Sequence, residues 1–190
     1  MKIQEFQEIL KGKKADCAVF CNSDSSAYNP NLFYFSGYKG LGALAIPAKQ
    51  KPFLVAPKME LDKAKKSSIK KVYLMEKKRF FESIYKTIRK NKIKTRNVAI
   101  DKNNFTLNSF RHFKKQFKKS KIRDIASDCI KLREIKTEKE LQYLKKSCQY
   151  ADKILQKTIK NFKSFKTESE AAAFLEYEAK KLGLEVSFNP

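Results

Sequence analysis

Residues 97–126 read NVAIDKNNFTLNSFRHFKKQFKKSKIRDIA, and three segments of different period follow one another there. Asn97 to Ile100 is a short apolar run that stops at Asp101, as a buried strand does. Leu107, Phe110, Phe113 and Phe117 then recur at helical spacing, and Ile122 to Ala126 turns apolar again. Strand, amphipathic helix, strand is the pattern of a crossover unit. It predicts an α/β fold in which a mostly parallel or mixed sheet is covered by helices on its faces.

The residues before this stretch extend the pattern. Ile3, Phe6, Ile9 and Leu10 form one apolar stripe on a short helix, and Ala15 to Cys21 is a compact strand ended by Asn22-Ser23-Asp24-Ser25-Ser26. After Asn29-Pro30-Asn31 comes the aromatic run Leu32-Phe33-Tyr34-Phe35-Ser36-Gly37-Tyr38, closed by a glycine. Leu41 to Pro47 and Pro52 to Pro57, joined by Ala48-Lys49-Gln50-Lys51, have the form of a β-hairpin. A helix over Lys58 to Lys66, a strand over Lys71 to Met75, and a helix carrying Phe80, Phe81, Ile84, Tyr85 and Ile88 lead into the deciding stretch. Residues 1–126 are thus expected to form one platform domain.

The period changes after Ser127, where strand signals stop. Thr137 with Glu140 has the spacing of a capping box, followed by the stripe Leu141, Leu144, Cys148, Ala151, Leu155 and Ile159. Thr167 with Glu170 has the same spacing, followed by Ala171, Phe174, Leu175 and Leu182, with Gly183 placed to end that helix. Leu184 to Phe188 has the composition of a starting strand. Residues 127–190 are therefore read as a linker and the first helices of a second, incomplete domain.

Composition bounds the function. Apolar residues make up 42% of the 190 and aromatics 12%, enough for a real core. No run reaches the ~18 to 20 apolar residues of a membrane helix, and the polar amphipathic start is unlike a signal peptide, so the expected location is the cytoplasm and no membrane partner is expected. The four cysteines sit in hydrophobic segments and are read as reduced core thiols. The net charge of +23 invites a nucleic-acid reading, but only six of the 43 basic residues are Arg, and the Lys are spread along the chain. Base readers favour the Arg fork and gather charge on one face, so nucleic acid is disfavoured as a partner on the sequence alone.

No residue set builds a catalytic centre. His112, the single histidine, has no evident partner to orient its ring and is read as a surface or boundary residue. Cys17 and Cys21 are four apart in a strand, so they share a face and look like small core hydrophobes rather than half of a metal site. Gly37, Gly40 and Gly42 do not open a helix and no Walker lysine follows, which leaves them the role of a tight turn into the hairpin. Asp101, Asp124 and Asp128 lack paired spacing and are explained as caps and surface ion pairs. Neither catalytic nor metal-ligating residues are assigned.

Residue order is more informative at four places. Asn31-Leu-Phe-Tyr-Phe-Ser-Gly-Tyr38 resembles the Asn-x-x-Tyr-x-Thr/Ser-Gly-aromatic segment of the creatinase/prolidase N-terminal domain. Leu132-Arg133-Glu134-Ile135-Lys136-Thr137-Glu138-Lys139-Glu140-Leu141 is similar to the signature at the junction with the catalytic domain in aminopeptidase P and prolidase. Lys166 to Ala172 and Leu182 to Pro190 resemble the following helix start and Ser-Phe strand, in the same order.

The resemblance implies a three-layer α/β N-terminal domain with a mixed sheet, then helices of a truncated pita-bread domain. It implies that a complete member is a Xaa-Pro metallopeptidase with two divalent metals (Mn, Co or Zn) held by two Asp, one His and two Glu. Those ligands lie downstream of the Ser-Phe strand, so none is carried onto a position here, no metal is expected on this chain, and alone it is expected to be inactive. The implied role is oligomer contact and covering of the substrate cleft, with Gly37, Tyr38 and Lys39 as candidate wall residues; core filling is the competing reading, favoured for Phe33 and Phe35. The implied partner is a second copy or a complementary catalytic chain, with peptide substrate bound only by the complete protein. A stand-alone, non-catalytic interaction module is the alternative.

Overall fold

Strand β1 (Cys17–Asn22) is buried along its whole length. Its side chains divide by parity: Ala18 and Phe20 join one apolar cluster, and Cys17, Val19 and Cys21 join the other. Successive Cβ atoms of a strand point to opposite faces, so a strand apolar at every position needs cover on both. The structure, a computed structural model describing residues 2–23, 28–76 and 80–186, supplies that cover with a helical layer on each side of the sheet.

One layer comprises α1 (Lys2–Gly12), α2 (Pro30–Ser36), α3 (Leu61–Lys65) and α6 (Ala126–Glu134). Phe6, Phe20 and Phe35 meet at its centre with ring centroids 4.8 to 5.7 Å apart. The other layer is α4 (Phe80–Lys90) and α5 (Leu107–Gln116), where Phe113 stacks on Phe117 at 4.2 Å and Tyr85 meets Phe117 edge-on at 5.1 Å. Offset and edge-to-face contacts of this kind add about 0.5–1.5 kcal/mol each beyond the area they bury.

The remaining strands are β2 (Gly42–Pro47), β3 (Phe53–Ala56), β4 (Val72–Leu74), β5 (Asn97–Ile100) and β6 (Lys121–Asp124), in sheet order β4-β3-β2-β1-β5-β6. The hairpin read from the sequence is present, with Leu44 opposite Leu54, and β2 is also antiparallel to β1. β3 and β4 are parallel, as are β1 and β5, and β5 and β6. The sheet is mixed, and every strand except β2 begins at the same edge. Helices α1, α3, α4 and α5 each precede one of those strands and so deliver the chain to that edge.

Three details depart from the reading by pattern. The aromatic run from Leu32, to which the pattern assigns no element, is the helix α2 through Ser36. Phe33, expected in the core, is 38% exposed, while Phe35 is buried. Helix α6, not expected from the pattern, buries Ala126, Cys129 and Leu132, the last two in the cluster with Phe6, and the first compact unit runs to Glu134 and the second from Ile135.

The second unit contains α7 (Glu138–Asn161) and α8 (Glu168–Lys181). The Thr137 hydroxyl accepts from the Glu140 N–H at 3.3 Å and the Glu140 carboxylate accepts from the Thr137 N–H at 2.6 Å, a complete capping box. At α8 the Thr167 hydroxyl accepts from Glu170 N–H, but the Glu170 carboxylate reaches one residue further, to Lys166 N–H at 2.6 Å. Gly183 takes φ +71°, the left-handed residue that ends α8. The two helices are pinned by Lys157 and Glu178 at 2.5 Å, and Phe165 of the connection between them packs against Phe174 of α8 at 5.4 Å. Leu184 to Val186 are not in a strand, and Ser187 to Pro190, which carry the rest of that expected strand, lie outside the described residues.

Candidate functional site

Helix α2 is held at both ends by its own sequence. Asn29 caps it, its side-chain oxygen accepting from Asn31 N–H at 2.9 Å and Leu32 N–H at 3.1 Å. Pro30 takes the first helical position, where a missing N–H costs nothing. Gly37, at φ +69°, closes the helix by donating its N–H to Phe33 O at 2.6 Å. The fully buried Ser36 hydroxyl donates to Leu32 O at 2.5 Å and accepts from Tyr38 N–H at 3.0 Å. Asn31, also buried, donates its side-chain amide to Asp101 at the end of β5. Asp101 further accepts from Asn103 N–H at 3.0 Å and the Asn104 amide at 2.6 Å. Asn31, Ser36, Gly37 and Tyr38, four of the fixed positions of this segment, thus each have a bonding or conformational task.

The strap after α2, residues 37–41, is braced from behind. Tyr38 is 2% exposed, and its hydroxyl donates to Leu41 O at 2.6 Å. Burial pushes its phenol above the ordinary value, and the neighbouring Glu60 carboxylate adds to that. Gly40 lies over both groups: a Cβ there would sit 2.6 Å from the Tyr38 hydroxyl oxygen and closer still to the Glu60 carboxylate. The Asn22 amide ties the strap down by donating to Lys39 O at 3.1 Å and Gly40 O at 3.0 Å.

Outward, the strap presents a cation on aromatics. Lys39 Nζ stands 5.1 Å from the Phe33 ring centroid and 5.6 Å from that of Tyr28, and the two rings meet edge-on at 5.8 Å. Tyr28 is 51% exposed. Of the three wall residues expected from the sequence, Gly37 and Lys39 face outward and Tyr38 faces inward. Phe33, expected to fill the core, and Tyr28, not singled out in the sequence, complete the outer face; the signal available was the cap pair Asn29-Pro30 with Gly37, which makes a helix and sends Phe33 to the side opposite Phe35. A cleft of about 280 Å³ adjoins this corner, lined by Asn22, Tyr28, Asn29, Phe81, Asn104 and Thr106 among others, beyond the carboxyl ends of the adjacent parallel strands β1 and β5.

The other chemistry-bearing residues do not converge. His112 is exposed on α5. Cys17, Cys21 and Cys129 are buried thiols; burial pushes Cys17 and Cys129 up to about 12 and Cys21 higher. Asp124 accepts from Ala126 N–H at 3.0 Å as a helix cap, and Asp128 pairs with Lys13 at 3.0 Å. Among the described residues no three His, Cys, Asp or Glu side chains come together as metal ligands would. The two-metal set that the resemblance implies for a complete member does not fit the described residues, and no metal-dependent step is assigned to them.

A mixed sheet between two helical layers, with a braced strap bearing outward aromatics at one edge, defines an α/β platform domain. The chain belongs to the creatinase/prolidase N-terminal domain family, whose model matches residues 2–135. A peptidase of Staphylococcus epidermidis is 30% identical across 99% of this chain and 52% of its own length, and the Xaa-Pro dipeptidase of Pyrococcus furiosus is 32% identical across 82% of this chain and 42% of its own. The X-Pro aminopeptidase of Thermotoga maritima superposes with a TM-score of 0.81 at 26% identity, covering 97% of this chain and 51% of that one. The Pyrococcus horikoshii prolidase gives 0.76 at 26% identity, over 95% and 48%. The chain spans about half the length of these relatives, in which the same domain is part of a larger chain. No described helix is long and apolar enough to cross a membrane.

Proposed function

We propose that this chain is the N-terminal, substrate-covering and assembly part of a Xaa-Pro aminopeptidase or dipeptidase, with the dimetal hydrolytic site supplied from outside these residues. The observation that carries the reading is the strap: Lys39 poised over Phe33 and Tyr28, with Tyr38, Glu60 and Asn22 holding the backbone behind it. A rigid, partly apolar and cationic edge suits the wall of a cleft that takes a peptide with a proline ring and a carboxylate. Gly37 and Lys39 form the wall, and Tyr38 fixes its shape from within.

The second unit supports the same reading. Along α7, Leu144, Leu155 and Ile159 stand 49%, 53% and 63% exposed, and Phe162 beyond it 67%. An apolar stripe this open is the face of a helix that packs on a further layer; in this reading the layer is the sheet of the catalytic half, brought by a complementary segment, and the working assembly is a homo-oligomer in the cytoplasm.

Complementation tests it. The purified chain, mixed with the catalytic half of a complete family member and supplied with Mn, Co or Zn, is expected to bind that half and to hydrolyse Xaa-Pro peptides, while neither part does so alone. Absence of both binding and hydrolysis would count against the reading.

A further inference from the structure

The lysines that look diffuse along the chain are gathered by the fold. Because β1, β3, β4, β5 and β6 all start at one edge, the loops that feed them lie side by side there. Each is basic. The hairpin loop carries exposed Lys49 and Lys51, and the approach to β4 carries exposed Lys66, Lys70 and Lys71. The approach to β5 carries Lys92, Lys94 and Arg96, all exposed, and that to β6 carries Lys118 and Lys119, also exposed. These last two loops are fastened together, Lys121 N–H donating to Arg96 O at 2.7 Å and the Ser120 hydroxyl to Thr95 O at 2.6 Å.

Almost nothing neutralises this edge. The one acidic residue in its loops is Asp16, whose carboxylate is occupied in accepting Asn97 N–H at 2.8 Å. The loop that feeds β1 adds Lys13 and Lys14, and among the described residues Lys13 alone of the loop cations is ion-paired, with Asp128. Lys in a helix's last turn is explained by the carbonyl end of the dipole, which covers Lys90 and Lys115 but not the loop cations beyond them. The opposite edge differs in being mixed, since Glu60, Glu76, Asp101 and Asp124 lie there beside Lys39, Lys58 and Lys102.

We infer that this edge is a docking surface for the phosphate backbone of a nucleic acid, held without base readout. Six strands at ~4.8 Å spacing make a row of charge about 24 Å long, close to seven base pairs of duplex at ~3.4 Å each. No large hydrophobic side chain is exposed on this edge, whereas protein interfaces are anchored by buried aromatic and apolar groups. Lys predominance fits point-charge attraction to phosphate rather than recognition of bases, which favours Arg. This surface is independent of the strap and of the peptidase reading.

The test is fluorescence anisotropy of a labelled 20-base-pair duplex with the full chain, from 50 to 300 mM KCl. Replacing Lys92, Lys94, Lys118 and Lys119 by Glu is expected to weaken binding at 50 mM salt by about 30-fold or more and to reduce the slope of log K against log salt by about 3.6, each lost phosphate contact contributing ~0.9. The same charge change at Lys145, Lys160, Lys163 and Lys166 of the second unit is expected to weaken it less than about threefold. A Gln set at the four edge positions, with circular dichroism of every variant, gives the same direction if the Glu set loses its fold. Equal losses from both sets, no binding at 50 mM salt, marked sequence preference, or tighter edge-dependent binding to phosphatidylserine vesicles than to the duplex would each overturn the inference.

Discussion

Asn31 and Asp101, 70 residues apart in the chain, are joined by a side-chain hydrogen bond inside the N-terminal unit, both nearly inaccessible to solvent. The bond ties the start of α2 to the end of β5. Asn31→Ala leaves the buried carboxylate with one donor fewer and is expected to cost about 1–3 kcal/mol, read as a lowered midpoint in urea with an unchanged slope. Asn31→Asp, which sets a second carboxylate against Asp101, is expected to cost more than the alanine variant.

The brace of the strap leaves no room at Gly40. Gly40→Ala pushes a methyl group into Tyr38 and Glu60 and is expected to destabilise by about 1–3 kcal/mol, whereas Gly37→Ala, with open space around it but φ +69°, is expected to cost nearer 1 kcal/mol. Thermal melts of the two variants check both values. Glu60→Ala should recover part of the Gly40→Ala loss, because it removes one of the two groups the methyl meets.

The four thiols should separate by burial. Cys17, Cys21 and Cys129 are buried and their thiols are held protonated, while Cys148 is exposed on α7. An aromatic disulfide reagent at pH 8 is expected to titrate one thiol rapidly and the other three only on unfolding; loss of the fast phase in Cys148→Ser confirms the assignment.

Acid should loosen the helix pair of the second unit. The Lys157 ammonium bonded to Glu178 holds that carboxylate below its ordinary value. A depressed carboxylate contributes stability that is fully present above its unfolded value of ~4.3 and is lost as pH falls through the lower folded value. Amide exchange of α7 and α8 is therefore expected to rise below about pH 4, and Lys157→Gln should remove that pH dependence while leaving the N-terminal unit unaffected.

Much of the architecture was legible because it follows from local rules. The apolar run at Cys17 to Cys21, the hairpin around Ala48 to Lys51 and the strand, helix, strand order from Asn97 are each specified by period and turn residues within a few positions. Helix α2 was not recognised because Leu32 to Phe35 is apolar throughout, with no polar face to reveal a helical period; only its caps Asn29 and Gly37 mark it. The same gap hid the outward side of Phe33 and the inward side of Tyr38, which depend on where a seven-residue helix points. The position of α6 was obscured in a different way, since its burial arises from contacts with α1 more than a hundred residues earlier. The basic edge was invisible for a topological reason: Lys49, Lys92 and Lys118 are far apart in sequence and become neighbours only once the strand directions are known.

The central claim is that the strap walls the substrate cleft of a Xaa-Pro peptidase, and the most direct measurement is steady-state hydrolysis of an Xaa-Pro dipeptide by the complemented assembly carrying Phe33→Ala or Lys39→Ala. The expected result is a KM raised about 5- to 50-fold with kcat within about twofold of the parent, the pattern of lost substrate binding without lost chemistry. Hydrolysis with an unchanged KM in both variants would contradict it.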